Sequence, residues 1–339
     1  MSSGFGGFEK RLSLKCAPPR GKGGGRCADG TFPFKGRAAL RRLLHKGARR
    51  KFFSKEVDVM SRQGAPAWLA ASAACVGALM ASVFGFIILC ALGALRDADV
   101  SMVFGSVWRP DAQRYGILPM ICATLQLSLS ALALGWALAL GCACFINGLG
   151  PRRAAAFLEG LIRLMTAVPT VVYSFVSVFL LVPLVRNHLG GTGLCWLSAA
   201  TVLSLQILPS MTLVLDGAIK NAAAHVSLTC EALGLTASQT LARVVLPASK
   251  KALCSAAMLG FGRAAGDTLI PVMLAGNAVQ YAKTPIDAMR TLTAHISLVT
   301  SSEVTGQAYS SLYIAGGILL AFSAAASLII RRLRKGAEK

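Results

Sequence analysis

Six apolar stretches separated by short polar or charged segments organise this chain, at roughly 67–95, 117–146, 164–185, 193–215, 252–280 and 307–330. No charged residue occurs from Ala67 to Leu95 or from Tyr115 to Pro151. A helix needs about 20 apolar residues to cross a bilayer, and backbone in lipid must satisfy its own hydrogen bonds. The pattern therefore predicts an all-α polytopic membrane protein with six transmembrane helices. Pro169 and Pro183 fall in the third stretch and predict a kink there. Residues 216–251 are too polar for lipid and too long for a turn. Within them Leu233, Leu241, Val244 and Val245 recur at helical spacing, which predicts an amphipathic helix, or a helix pair broken at Gly234. Pro247 suits the first turn of the helix that follows. Such a segment has no core of its own and fits a partner's groove or a headgroup surface.

Composition narrows the class. Of 339 residues 55% are hydrophobic and 14% charged, against about 25% charged in a soluble domain, which excludes an ordinary soluble enzyme. The formal net charge of +21 would suit a nucleic-acid binder, but such a protein has no membrane-length apolar runs. The basic residues instead set the orientation. The segment 1–66 holds 16 Lys/Arg, and the stretches 147–163, 216–251 and the C-terminal tail add three, four and five. The opposite side has six: Arg96, Arg109, Arg114, Arg186, Lys283 and Arg290. Both termini are thus expected in the cytoplasm. Residues 1–66 read as a disordered basic tail lying against anionic lipid, with 67–335 as the permeation domain. The tail gives no signal-peptide pattern, and Met60 is an alternative start.

The ten cysteines include no CxxC, and Cys142 and Cys144 lack a nearby His or carboxylate, so core packing is expected and no metal site. One segment carries chemistry. Arg263 stands twelve residues after Lys251, about 18 Å along a helix and near the bilayer middle. Asp267 follows at i+4, which places both on one helical face and predicts a pair. Ionisable groups at that depth usually face a pathway or a bundle interior. A planar guanidinium suits an oxyanion; the alternative is that the pair only pins helix packing. Gly262 and Gly266 form a GxxxG frame that would admit a neighbouring helix.

The spacing from Gly234 to Leu246-Pro247 resembles the EAAxxxG(x9)IxLP loop of permease subunits of type I ABC importers. Gly262-Arg-Ala-Ala-Gly-Asp-Thr268 with Met273-Leu-Ala-Gly-Asn277 is similar to the GRALGET…MVxGN pattern of phosphate-specific Pst permeases, of the PstC type. Val168-Pro-Thr-Val-Val-Tyr173 and Ile207-Leu-Pro209 match as well. Two positions depart from the family: Leu228 stands where the loop is acidic, with Glu231 three residues later, and Asp267 replaces the usual Glu. The resemblance implies a type I ABC importer permease fold in the inner membrane, importing phosphate by alternating access. It implies a PstA-like second permease, a PstB-like ATPase dimer gripping Glu231, Ala232, Gly234, Leu246 and Pro247, and an extracytoplasmic phosphate-binding protein. Arg263 and Asp267 would line the pathway or hold its gate. The chain itself would bind no cofactor and catalyse no reaction; ATP and Mg2+ would act in the partner. Other readings are a permease for molybdate or sulfate, an ATP-independent carrier with Arg263–Asp267 as an ion relay, and an intramembrane enzyme, for which no catalytic constellation stands in the spans.

Overall fold

The computed structural model describes residues 67–97, 101–109, 112, 114–302 and 307–335; the tail 1–66 and Met60 lie outside them. The chain divides into two compact units, Met1–Val76 and Gly77–Lys339. Only the first turns of α1 belong to the first unit's described part, and the second unit holds the rest of the architecture. The elements are α1 (Ala67–Asp97), α2 (Ser101–Phe104), a two-residue antiparallel hairpin of β1 (Trp108–Arg109) and β2 (Arg114–Tyr115), and α3 (Leu118–Cys144) ending in a π turn, Phe145–Leu149. Then come α4 (Arg152–Ala167), α5 (Thr170–Leu189), α6 (Trp196–Ala232), α7 (Ala237–Ala248) and α8 (Lys250–Gly266). The series closes with α9 (Leu269–Leu274), α10 (Leu292–Ser302) and α11 (Gln307–Lys335).

Five helices are long and apolar enough to cross a membrane, and α7 with α8, bent by 73° at Ser249, makes a sixth candidate. The centre is built where α3, α6 and α8 cross. Leu127, Ala131, Leu203, Ile207, Met211 and Ala256 are buried there. Glycines allow the approach: a Cβ on Gly135 would meet Ile207 and Met211 at 3.1 Å, and one on Gly260 would collide with Met211 Sδ. A smaller cluster gathers Ala94, Ile117, Met120, Leu292 and Ile314. Polar ties fix the frame: Trp196 Nε1 donates to Ser130 Oγ at 2.9 Å, and the Leu292 amide donates to Thr124 Oγ1 at 2.9 Å. The first amides of α6 have no helical acceptor, and the Asp287 and Pro285 carbonyls accept from Trp196 and Leu197.

Three helix boundaries differ from the sequence expectation. The apolar stretch 164–185 begins inside α4, and the chain breaks at Val168 and Pro169, both extended. Pro183 lies within α5 without ending it. The fourth stretch does not stop at 215; α6 continues to Ala232, so the first half of the expected loop 216–251 belongs to that helix. The fifth stretch ends as a helix at Gly266, not near 280, and α10 follows where no helix was expected.

Candidate functional site

The break after Gly266 changes the geometry of the two intramembrane charges. Asp267 has extended backbone (φ −72°, ψ 136°), so the i+4 relation to Arg263 no longer places both on one helical face. No ion pair joins them among the described residues. Asp267 Oδ1 instead accepts the Ile270 amide at 3.1 Å, and its carbonyl accepts from Thr293 Oγ1 at 2.8 Å. Arg263 lies in the last turn of α8, exposed in the single chain. The two helix ends explain this separation: the partial negative charge at a helix C-terminus favours a cation, and the free amides at the next N-terminus favour a carboxylate. Asp267 is held by a backbone amide, and Arg263 forms no ion pair among the described residues.

Gly262 and Gly266 are exposed, and among the described residues nothing outside their own turn comes within 4 Å of a Cβ built at either. The close approach expected of their GxxxG frame occurs within this chain at Gly260 instead. The last turn of α8 therefore exposes two glycines and one cation, Arg263. Tyr173, at the start of α5, donates its hydroxyl to the Met165 carbonyl at 3.0 Å.

The second candidate region is the end of the bundle carrying α7. There α6 closes in a Schellman turn: Leu235 N donates to Cys230 O at 3.0 Å and Gly234 N to Glu231 O at 3.0 Å, with Gly234 at φ +73°. Thr236 then starts α7 with a capping box, accepting the Gln239 amide while Gln239 Oε1 accepts the Thr236 amide. A groove of about 180 Å³ runs between these helices, lined by Asn147, Ser227, Glu231, Leu235, Leu241 and Val245 among others. Glu231, Ala232, Gly234 and Pro247 are exposed and Leu246 is half-buried, while Leu228, the departure from the acidic pattern, is 81% exposed.

Beside this groove stands a polar network that the sequence reading missed. Asn147 Nδ2 donates to Asp216 Oδ1 at 2.8 Å, Lys220 Nζ to Asp216 Oδ2 at 2.8 Å and to Glu159 Oε1 at 3.3 Å, and Arg163 to Glu159 at 2.8 Å. It ties the π turn, α4 and α6 together. Its signal was present as two i,i+4 charge pairs in a chain with only 14 acidic residues. Hydrogen bonds from Arg163 and then Lys220 hold the Glu159 carboxyl below the usual carboxylate range. A depressed carboxylate adds stability above its unfolded pKa and loses it as pH falls through the folded value. Glu159→Gln should thus lower the melting temperature by about 1–3 °C at pH 7, and the two melting curves should converge below about pH 4. A constant difference across that range would contradict the assignment.

The chain belongs to the family of binding-protein-dependent transport system inner membrane components, which it matches over residues 131–339. It is a multi-pass membrane protein, and membership implies an ATPase partner and a binding protein. Among relatives, it is 31% identical to the probable ABC transporter permease protein YqgH of Bacillus subtilis (strain 168), covering 67% of this chain and 74% of the relative. It is 26% identical to the phosphate transport system permease protein PstC of Xylella fastidiosa (strain Temecula1), covering 71% and 80%. PstC of Pasteurella multocida (strain Pm70) is 24% identical, with 77% and 88% covered. The PstC-type resemblance carried by Gly262–Thr268 and Met273–Asn277 thus extends along most of the chain. Among solved structures, the inward-facing MetNI methionine ABC transporter gives a TM-score of 0.50 at 16% identity, over 67% of this chain and 99% of that one. That likeness shows the type I importer fold.

Proposed function

We propose that this chain is a permease subunit of an ATP-driven importer that moves inorganic phosphate across the cytoplasmic membrane by alternating access. One observation carries the reading: Arg263, deep in an apolar helix, is exposed on the chain's flank and forms no ion pair among the described residues. A cation at that depth costs several kcal/mol, and an anionic cargo passing between two permease subunits accounts for its retention. The relatives named as phosphate permeases favour phosphate among the oxyanions. In this reading Asp267 holds the helix break open beside the pathway, and Gly262 and Gly266 leave room for the partner permease or the cargo. Both termini lie in the cytoplasm. Two ATPase subunits, using ATP and Mg2+, grip α7 and the Glu231–Gly234 turn, and an extracytoplasmic phosphate-binding protein delivers the cargo. The 73° bend at Ser249 converts their closure into a movement of α8.

The fork of the guanidinium also fits other tetrahedral oxyanions, so the test is uptake with competition. The complete transporter in liposomes should accumulate labelled phosphate on ATP addition, and a hundredfold excess of sulfate or molybdate should leave the rate within about twofold, since each tenfold in affinity corresponds to about 1.4 kcal/mol of binding. Uptake of sulfate or molybdate with no phosphate uptake would replace the cargo, and uptake without ATP would replace the mechanism.

A further inference from the structure

A cavity of about 620 Å³ opens between α6 and the start of α8, apart from the groove at Glu231. Small residues make the room: Gly217 and Ala218 line it from α6 and Ala252 from α8, and a Cβ on Gly217 would meet nothing within 4 Å. Asn221, Ser255 and Lys251 give the wall its polar part. Ser255 Oγ donates to the Lys251 carbonyl at 2.9 Å, so the two residues follow one another along the same side of α8. Lys251 is the one charged residue among the described residues that line the cavity. The acid of α6 closest in sequence, Asp216, is buried and already engaged by Asn147 and Lys220. A concave wall that carries one sign of charge concentrates ions of the other sign.

The uncovered side of α8 joins this cavity to Arg263. Lys251, Leu259, Gly262, Arg263 and Gly266 are exposed and Ser255 is half-buried; at about 100° per residue all six fall within an arc of roughly 120°. The rest of the circumference is turned inward, with Ala256, Gly260, Ala264 and Ala265 buried. We propose that the Lys251 cavity is a second anion station, on the cytoplasmic side of Arg263, which receives the transported oxyanion before it leaves the permease. This role rests on the reading of Arg263 and of the chain's orientation given above. An anion leaving Arg263 for the cytoplasm has about 18 Å of mostly apolar helix to pass, and a second cation shortens the stretch over which its charge goes uncompensated. The two cations suit different tasks. A forked guanidinium holds an oxyanion in fixed geometry, whereas an ammonium is a compact, strongly hydrated point charge on a flexible stem. Phosphate is far smaller than the cavity, so it keeps water around it there and is held weakly, as release requires. A phospholipid headgroup offers the same chemistry; the uncovered strip that continues to Arg263 favours cargo.

The test uses the complete, nucleotide-free transporter in nanodiscs of phosphatidylcholine, alone or mixed with phosphatidylglycerol. Acetylation of lysines by acetic anhydride is followed by mass spectrometry, with millimolar inorganic phosphate replacing chloride at constant ionic strength. Phosphate should slow acetylation of Lys251 about threefold or more in both lipids. Lys250, exposed and outside the cavity wall, should react at an unchanged rate. Equal Lys251 rates with and without phosphate would overturn the proposal. So would protection by phosphatidylglycerol alone, which assigns the cavity to lipid, or a Lys251 that never reacts, which assigns it to the partner permease. In liposomes Lys251→Gln should lower uptake of labelled phosphate about fivefold, Lys251→Arg should retain most of it, and Lys250→Gln should stay within about twofold of the parent. Parent-level uptake by Lys251→Gln, or an equal loss in Lys250→Gln, would remove the station. Protection is read on the parent, so it decides even where a variant fails to assemble. An Arg263→Gln arm separates the two readings. If it transports normally, the role of Arg263 falls; if it is inactive while the parent's Lys251 ignores phosphate, only the second station falls.

Discussion

Arg263→Gln is expected to abolish phosphate uptake, by about a hundredfold or more, with membrane insertion and complex assembly unchanged. Gln retains donors but no charge, and hydrogen bonds to charged groups contribute about 1.5–3 kcal/mol each. Loss of a bidentate contact therefore corresponds to two or more factors of ten. Insertion should not suffer, because removing a charge from membrane depth relieves a cost. Packing should not suffer either, since Arg263 is exposed in the single chain and has no ion pair among the described residues. Arg263→Lys should keep part of the activity, as it preserves charge but loses the planar fork. Parent-level uptake by the Gln variant would remove Arg263 from the pathway.

Apolar composition and helix boundaries part company at two places in this chain. The spans at α1, α3 and α11 were legible because lipid demands uninterrupted apolar composition. A helix does not end where its apolar run ends, however. Asp216 and Lys220 satisfy one another and are joined by Asn147 and Glu159, so α6 continues for four turns into what composition marked as loop. The reverse error occurred at Gly266. The i,i+4 rule that paired Arg263 with Asp267 holds only while the helix continues, and a carboxylate beside free amides gains more as a cap than as the next residue of the turn. Pro169 ends a helix and Pro183 does not. What separates them is the neighbouring backbone, since Val168 is already extended, a position favoured before proline. The residue types of the site were readable; which helix end held each charge depended on breaks that composition does not mark.

Gly234→Val should produce a comparably large loss by a different route: more than a tenfold drop in co-purifying ATPase and in uptake, with the permease still present in the membrane. Gly234 has φ +73°, a conformation that costs an L-residue roughly 1–2 kcal/mol and is a true outlier for a β-branched one. Nothing lies within 4 Å of the added Cβ, so the variant meets no clash and the burden falls on the turn alone. Losing the left-handed residue removes the Schellman bonds from Leu235 to Cys230 and from Gly234 to Glu231. It redirects α7 against α6, moving Glu231 and Pro247 out of the surface proposed to engage the ATPase. Gly234→Asn separates conformation from side-chain volume, because Asn enters the left-handed region readily; it should retain most ATPase and most uptake. If Val and Asn variants behave alike, or if the Val variant keeps normal ATPase stoichiometry and turnover, the turn at Gly234 does not position the coupling surface.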